Sequence, residues 1–567
     1  MSYSAKSIDH RAHFALPRSL DIAAMLQALC ALIWLPQAAL IAYSVAQLQA
    51  GGGVGAVLLP AVGLAGFGVL RAALEAWASA RLHDGARACL TQWRHHTTQV
   101  LAVRSPLDRD RIASGAAASI LAEQAEAILP WLTRYRSAFW RARLVPLILL
   151  VPVAWYSWVA AIVLIVAAPL IPIFMAIVGW QAKAASEAQW LKLGDMNAFL
   201  LDRLRGLPTL RALGAVESTA TRLRAAADDL RLRTMRVLRI AFLSSAVLEL
   251  FSALGVALVA VYIGFHLLGH IEFGAWGSRL SLAEGLFVLL LAPTFFEPLR
   301  ELAAVWHDKA SGQAAVEALQ RLDEGGMPLV DGAPTPALAQ VDARSSHATG
   351  PGIKVSQLAF SFPSQAPLFK GFNLEISPGE KVALVGGSGA GKTVLLSLLA
   401  GLVPADTGDI YVDGIRLDAD NVATLRARMG WMGQRAHVFA GSVQNNVALA
   451  SKGASREQLT LAMQSAHLTN VAQAHPGNTL GEGGTGLSGG ESARLSLARL
   501  LASKHADLWL VDEPTAHLDS ETADLIRHAL LEQAQGRTLI VATHDPQLIA
   551  KMDRVITIDA MVSGALS

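Results

Sequence analysis

Charge is scarce in this chain of 567 residues: Asp, Glu, Lys and Arg together make up 16% of it, where an ordinary soluble domain carries about 25%. With 53% hydrophobic residues and a mean hydropathy of +0.40, that shortage excludes an ordinary soluble multidomain enzyme and calls for membrane spans. Cysteine is nearly missing. Cys30 lies in an apolar run and Cys89 in a basic segment, environments too different to suggest a disulfide, and both thiols are expected to be structural. No basic patch interleaved with aromatics is present. The net charge is +2 and the arginines gather beside apolar runs, which sets nucleic acid aside as a partner. A small-residue cleavage site is also lacking after the first apolar run. That run, preceded by the polar stretch SAKSIDHRAHFALPRSL, is expected to remain as a membrane anchor.

What the chain does have is apolar length. Runs such as AAIVLIVAAPLIPIFMAIVG satisfy the requirement of about 20 apolar residues for crossing a bilayer core. The pattern predicts six spans, near 22–47, 54–80, 140–156, 159–181, 239–266 and 281–303. The loops at 81–139 and 182–238 are rich in Arg and Lys, whereas 48–53 and 157–158 hold neither and 267–280 holds only Arg279. The basic loops and both termini are therefore expected in the cytoplasm. These loops also carry helical periodicity, as in LRAAADDLRLRTMRVLRIAFL, so the spans should extend into the cytoplasm as helices. The reading divides the chain into a transmembrane domain over 1–310, a Gly, Pro, Ala and Ser-rich linker over 311–352, and a soluble α/β domain over 353–567.

The soluble part opens with KVALVGGSGAGKTVLLSLLAGL, a buried strand, a glycine-rich turn and a helix. That is the setting of a P-loop, in which the backbone N–H groups of Gly386, Gly387, Ser388, Gly389, Ala390 and Gly391 can surround phosphates. Lys392 would reach the outer phosphates and Thr393 would offer its hydroxyl to Mg²⁺. A second apolar strand, LWLVDEP, ends in Asp512 and Glu513; the first carboxylate can hold Mg²⁺ and the second can polarise an attacking water. Upstream, LSGGE places Ser488, Gly489, Gly490 and Glu491 at the start of a helix, where N–H groups can face a γ-phosphate.

In this combination the chain resembles the ABC transporter ATPase family. The resemblance implies that Phe362 stacks on adenine, that Gln434 is the loop glutamine near Mg²⁺, that His544 is the switch histidine, and that Asp519 lies in the acidic loop between two ATPase halves. It also implies that Thr479–Gly484 resembles the exporter segment facing the partner's coupling helices. Three departures stand out: Glu491 where glutamine is usual, His517 where a small residue is usual, and Phe362 where tyrosine is more usual. None removes a catalytic group. The expected architecture is an all-α six-helix transmembrane domain fused to an α/β P-loop ABC ATPase domain. ATP would sit between the P-loop of one ATPase and the signature of another, so a dimer is implied, with coupling helices near 105–115 and 205–214.

The membrane stretches, among them FLLDRLRGLPTLRALG and LAPTFFEPLREL, further resemble the CydD family, subunits of bacterial heterodimeric CydDC exporters. That resemblance implies a CydC-type partner, an inner-membrane location, and export of cysteine and glutathione in support of cytochrome bd assembly; haem binding or haem transport is the alternative. Arg71, within the second span, could face a cavity and meet an anionic substrate, or could pair with Glu75 or Glu249. His307, below the sixth span, could ligate haem or be an ordinary polar residue.

Overall fold

The computed structural model describes Phe14 and residues 16–112, 114–171, 173–174, 196, 199–200, 202–203, 206–277, 279–330, 349–363, 365–434, 436–449, 451, 454–469, 479–481, 487–503 and 505–558. Its contacts separate two compact units, one drawing on residues up to Gln99 and on Ile112–Glu324, the other on Val100–Arg111 and on the chain from Gly325 onward.

The first unit is helical. Helix α1 runs over Arg18–Gln49 with a 3-10 turn at Ala31–Ile33, α2 over Val54–Ala102, and α3 over Ser114–Tyr156. Then follow α4 (Trp158–Ala167), α5 (Leu207–Ala212), α6 (Val216–Leu267), α7 (Leu282–Ala304) and α8 (Trp306–Asp323). Among the described residues, five helical stretches are long and apolar enough to cross a membrane. The fourth predicted span begins as the shorter apolar helix α4, and residues 175–181 of that prediction lie outside the described residues. With 49 residues, α2 is about 74 Å long, more than twice a ~30 Å hydrocarbon core.

Local signals set the helix ends. Ser157 interrupts the apolar run and its hydroxyl accepts from Ala160 N–H, so α3 ends and α4 begins there. Ser281 and Glu284 form a reciprocal capping box that starts α7. The first expected coupling helix differs from the sequence reading. Residues 105–112 form turns, because Ser105 Oγ accepts from Leu107 N–H and Asp108 Oδ1 accepts from Asp110 N–H, local bonds that compete with a helix. The second expected one, near 205–214, contains helix α5.

Two apolar clusters hold this unit together. Val145, Leu149, Leu164, Val259, Leu291 and Phe296 form one between α3, α4, α6 and α7, and Leu20, Leu82, Leu90, Trp93, Ile128 and Leu319 form another between α1, α2, α3 and α8. By contrast, only 6% of the most apolar stretch of α2 is buried within the chain. Of the segment read as a linker, the residues up to Asp323 continue α8, and 331–348 lie outside the described residues.

The second unit is α/β. Strands β1 (Ile353–Phe360), β2 (Phe369–Ile376), β4 (Thr407–Val412) and β5 (Ile415–Arg416) form an antiparallel sheet in the order β2-β1-β4-β5. Strands β3 (Lys381–Val385), β6 (Met429–Met432), β9 (Leu508–Asp512), β10 (Thr538–Ala542) and β11 (Arg554–Thr557) form a parallel sheet, β11-β3-β10-β9-β6. Two short strands, β7 (Gly441–Ser442) and β8 (Thr479–Leu480), pair separately. The central strands β3, β9 and β10 read as near-continuous apolar runs because both faces are covered. Trp509 and Val511 of β9 point into one core, while Leu508 and Leu510 point into the other. Three helices matter for the site: α9 (Lys392–Leu399), α10 (Gly489–Ala502) and α11 (Ser520–Gln533).

Close packing of α6 on α7 generates a test. A Cβ added at Gly255 would lie 2.5 Å from Cζ of the fully buried Phe296, so Gly255→Ala is expected to cost about 1–3 kcal/mol through overpacking. The detergent-solubilised protein should unfold at a lower temperature than wild type, and Phe296→Leu in the same chain should restore most of the loss. An unchanged melting midpoint in Gly255→Ala would refute the contact.

Candidate ATPase site

Strand β3 delivers the chain into the glycine turn. Gly391 has φ +101°, a left-handed conformation that glycine adopts at low cost, and a Cβ there would come within 2.9 Å of Leu368 and Phe369. At Gly386 a Cβ would lie 2.2 Å from Ile558 O. Both positions therefore exclude larger residues. Gly387, Ser388, Gly389 and Ala390 complete the turn between β3 and α9.

Lys392, buried at the start of α9, donates through Nζ to Gly386 O at 2.7 Å and Gly387 O at 3.2 Å, and lies 3.0 Å from His544 Nε2. An ammonium has three donors, and each has a partner here. Beside it, Thr393 Oγ1 donates to Asp512 Oδ2 at 2.8 Å. Asp512 ends the fully buried strand β9, and burial pushes its carboxyl above the usual carboxylate range, offset in part by the Thr393 hydrogen bond and the Lys392 charge. A buried carboxylate next to a hydroxyl is an all-oxygen pair suited to a hard divalent cation such as Mg²⁺. Among the described residues, no cluster of three or more His, Cys, Asp or Glu side chains offers another metal site.

Glu513 follows directly, with φ +47° and its N–H donating to Ala542 O at 2.8 Å. A positive φ in a non-glycine residue is costly; the bond to the neighbouring strand holds it and aims the carboxylate out of the sheet end. His544 leaves the adjacent strand β10, and its Nε2 lies 3.6 Å from Glu513 Oε1 as well as against Lys392. Lys392, Thr393, Asp512, Glu513 and His544 thus converge, because parallel strands in register end at one edge of the sheet, with Ala542 opposite Asp512.

The remaining expected residues sit elsewhere in the unit. Ser488 and Glu491 close a capping box: Ser488 Oγ accepts from Glu491 N–H at 3.3 Å and Glu491 Oε2 accepts from Ser488 N–H at 2.7 Å. Glu491, unusual for the family, thereby starts α10. Among the described residues, nothing lies within 4 Å of where a Cβ at Gly489 would stand, whereas one at Gly490 would lie 3.1 Å from Thr522 Cγ2. Asp519 caps α11 by accepting from Thr522 N–H at 2.9 Å, a bond that lowers its carboxyl pKa, and His517 just before it has φ +60°. Among the described residues, no hydrogen bond or ion pair joins Ser488, Gly489, Gly490, Glu491 or Asp519 to the Lys392 cluster. Gln434 is exposed two residues beyond β6. Phe362 is half-buried in the turn between β1 and β2, edge-on to Phe360. In Thr479–Gly484 only Thr479, Leu480 and Gly481 are described, with Thr479 and Leu480 paired to Ser442 and Gly441.

One group was not anticipated. Asp545, next to His544, accepts through Oδ1 from Gln547 and Leu548 N–H, and through Oδ2 from Thr515 Oγ1 at 3.0 Å and Arg527 Nη1 at 2.5 Å. Burial pushes its carboxyl up, but the bonds from Arg527 and Thr515 outweigh that and hold it low. The node ties the segment after β9 that carries Glu513 and Thr515, the segment after β10 that carries His544, and helix α11. Its one trace in the sequence is an arginine on the buried face of α11, beside Ile526 and Leu530.

In the membrane unit, Arg71 Nε donates to Glu75 Oε1 at 3.1 Å, while exposed Glu249 makes no ion pair among the described residues. His307 is exposed and lies 3.1 Å from Asp308 Oδ1. Cys30 and Cys89 are free and buried.

Comparison with known proteins agrees with this architecture. The ABC transporter family profile matches residues 369–516, and the ABC transporter transmembrane region profile matches 105–290. The chain is 36% identical over 445 residues to the glutathione/L-cysteine transport system ATP-binding/permease protein CydD of Haemophilus influenzae, covering 78% of this chain and 74% of that one. It is 31% identical over 420 residues to the corresponding CydC of Bacillus subtilis, covering 73% and 70%. A solved bacterial Atm1-family ABC exporter with ATP bound shares the fold, with a TM-score of 0.72 over 96% of this chain and 94% of that one at 22% identity. With helical membrane spans and a P-loop ATPase on one polypeptide, the chain belongs to the ABC exporter family and is an ATP-hydrolysing, multi-pass membrane half-transporter.

Proposed function

We propose that the chain is the CydD-type subunit of a heterodimeric exporter that moves cysteine and glutathione across the bacterial inner membrane, in support of cytochrome bd assembly. The observation that carries this reading is the 36% identity, over 78% of the chain, to a protein named for glutathione/L-cysteine transport. Similarity to a CydC over 73% of the chain supports a homologous CydC-type partner. The division into a membrane domain over 1–310, a linker over 311–352 and an ATPase over 353–567, with the ATPase and both termini in the cytoplasm, belongs to the same reading.

In the ATPase, the turn Gly386–Gly391 and Lys392 bind the phosphates of ATP. A triphosphate must replace the partners Lys392 already has, Gly386 O, Gly387 O and His544. Thr393, Asp512 and Gln434 would hold Mg²⁺, which would offset negative charge on the phosphates. Glu513 orients the attacking water and accepts its proton, while His544, freed from Lys392, holds the γ-phosphate. Ser488, Gly489, Gly490 and Glu491 present the start of α10 to ATP on the partner's P-loop, and Asp519 lines the same junction. Their separation from Lys392 within one chain supports a site completed by a second ATPase.

Arg71 is proposed to meet an anionic group of the cargo. Its Nε is engaged by Glu75, and its terminal nitrogens form no hydrogen bond among the described residues, which leaves the planar fork for a carboxylate.

Three outcomes follow. In the assembled transporter, Glu513→Gln should retain ATP binding and lower turnover at this site by about 10²–10⁴-fold, whereas Lys392→Ala should lose nucleotide binding; normal hydrolysis in Glu513→Gln would overturn the assigned role. Inverted vesicles carrying the chain with its CydC-type partner should accumulate labelled glutathione or cysteine on adding ATP, and uptake of haem without uptake of thiols would replace the proposed cargo. Arg71→Ala should abolish thiol-stimulated ATPase and spare basal ATPase, with Arg71→Lys intermediate. If instead yield and basal activity fall together and Glu75→Gln restores them, Arg71 serves only to hold its helix.

A further inference from the structure

Residues 100–111 are the end of α2 and the segment that leads from it toward α3, yet their contacts place them in the ATPase unit. Main-chain bonds make the join. Ser105 N–H donates to Met327 O at 2.8 Å, Leu329 N–H donates to Val103 O at 2.8 Å, and Arg104 bridges to Pro328. Leu107 and Met327 both pack against the apolar cluster that contains Phe360, Phe369 and Val394. Two local bonds then shape the tip: Ser105 Oγ accepts from Leu107 N–H at 3.2 Å and Asp108 Oδ1 accepts from Asp110 N–H at 3.1 Å. Arg109 sits at this tip, with its guanidinium carbon 4.5 Å from the centroid of the Phe362 ring.

Phe362 borders the P-loop through its own hairpin. Leu368 and Phe369, on the far side of the same turn, are the residues a Cβ at Gly391 would strike. Phe360 meets the Phe362 ring at 81°, edge to face, and no parallel ring is stacked on it among the described residues. A guanidinium plane over one face of an aromatic ring attracts the ring quadrupole and restricts its rotation. The ring is thereby set in place before a base arrives.

We propose that Arg109 is a positioning residue for the nucleotide base: it covers one face of Phe362, and the adenine of ATP stacks on the other. The proposal deepens the ATPase reading and rests on it. It makes part of the segment Val100–Arg111 a member of the base site.

The test separates base from phosphates. Full-length transporter carrying Glu513→Gln, so that nucleotide is not consumed, is photolabelled with 8-azido-ATP, and label on this chain is read after the subunits are resolved. Displacement is measured with ATP and with magnesium tripolyphosphate, which has no base. Arg109→Ala should weaken displacement by ATP about 2- to 5-fold and leave displacement by tripolyphosphate unchanged, with Arg109→Lys between the two. An unchanged ratio would overturn the proposal, and tighter ATP binding in Arg109→Ala would overturn it by making the arginine a blocker of the base. Phe362→Ala tests the underlying reading separately. If it leaves the ATP-to-tripolyphosphate ratio unaltered, Phe362 is not the base platform, and that assignment fails independently of Arg109.

Discussion

The ATPase depends on a carboxylate kept almost dry. Asp512 ends a strand whose residues are all buried, and it faces one neutral donor, the Thr393 hydroxyl, at 2.8 Å, with Lys392 as the nearby charge. Removing a carboxylate from water is expensive unless it is paired or coordinates a metal. The site therefore carries an unmet demand for positive charge before ligand arrives. Around that demand the parallel register places Glu513 and His544 at the same sheet edge, and the glycine turn brings Lys392 alongside.

Much of this could be read from the chain itself. The P-loop, the LWLVDEP strand and the LSGGE helix start each combine a local element with a chemical need, so sequence determined both conformation and neighbourhood. Glu491 is informative: as a family departure it had no stated purpose, and the structure gives it one as the second half of a capping box. The node of Arg527, Asp545 and Thr515 could not be read. It joins residues from three separate segments through side chains, and an arginine on a helix gives no sign of what it meets. The turns at 105–112 depart from the coupling helix that the family resemblance implies near 105–115, because the Ser105 and Asp108 side chains bond nearby backbone N–H groups.

The membrane unit is less complete in one chain. The most apolar stretches of α3 and α6 are each 28% buried within the chain, against 6% for α2. That surface needs lipid or another protein. The start of α10 is covered only in part among the described residues: a Cβ at Gly489 would meet nothing within 4 Å, while at Gly490 it would meet the Thr522 side chain at 3.1 Å. The partner half-transporter proposed above would cover both surfaces.

The cysteines bear on chemical compatibility with the proposed cargo. Thiol–disulfide exchange requires a thiolate that can be reached by its partner. Cys30 and Cys89 are the chain's two cysteines and both are buried, so neither presents sulfur to a passing molecule. An exposed carrier thiolate would attack the disulfide form of the proposed cargo, releasing one cargo thiol and keeping the other as a mixed disulfide. Packing that looks merely structural would thus close that route between the carrier and the cargo proposed for it.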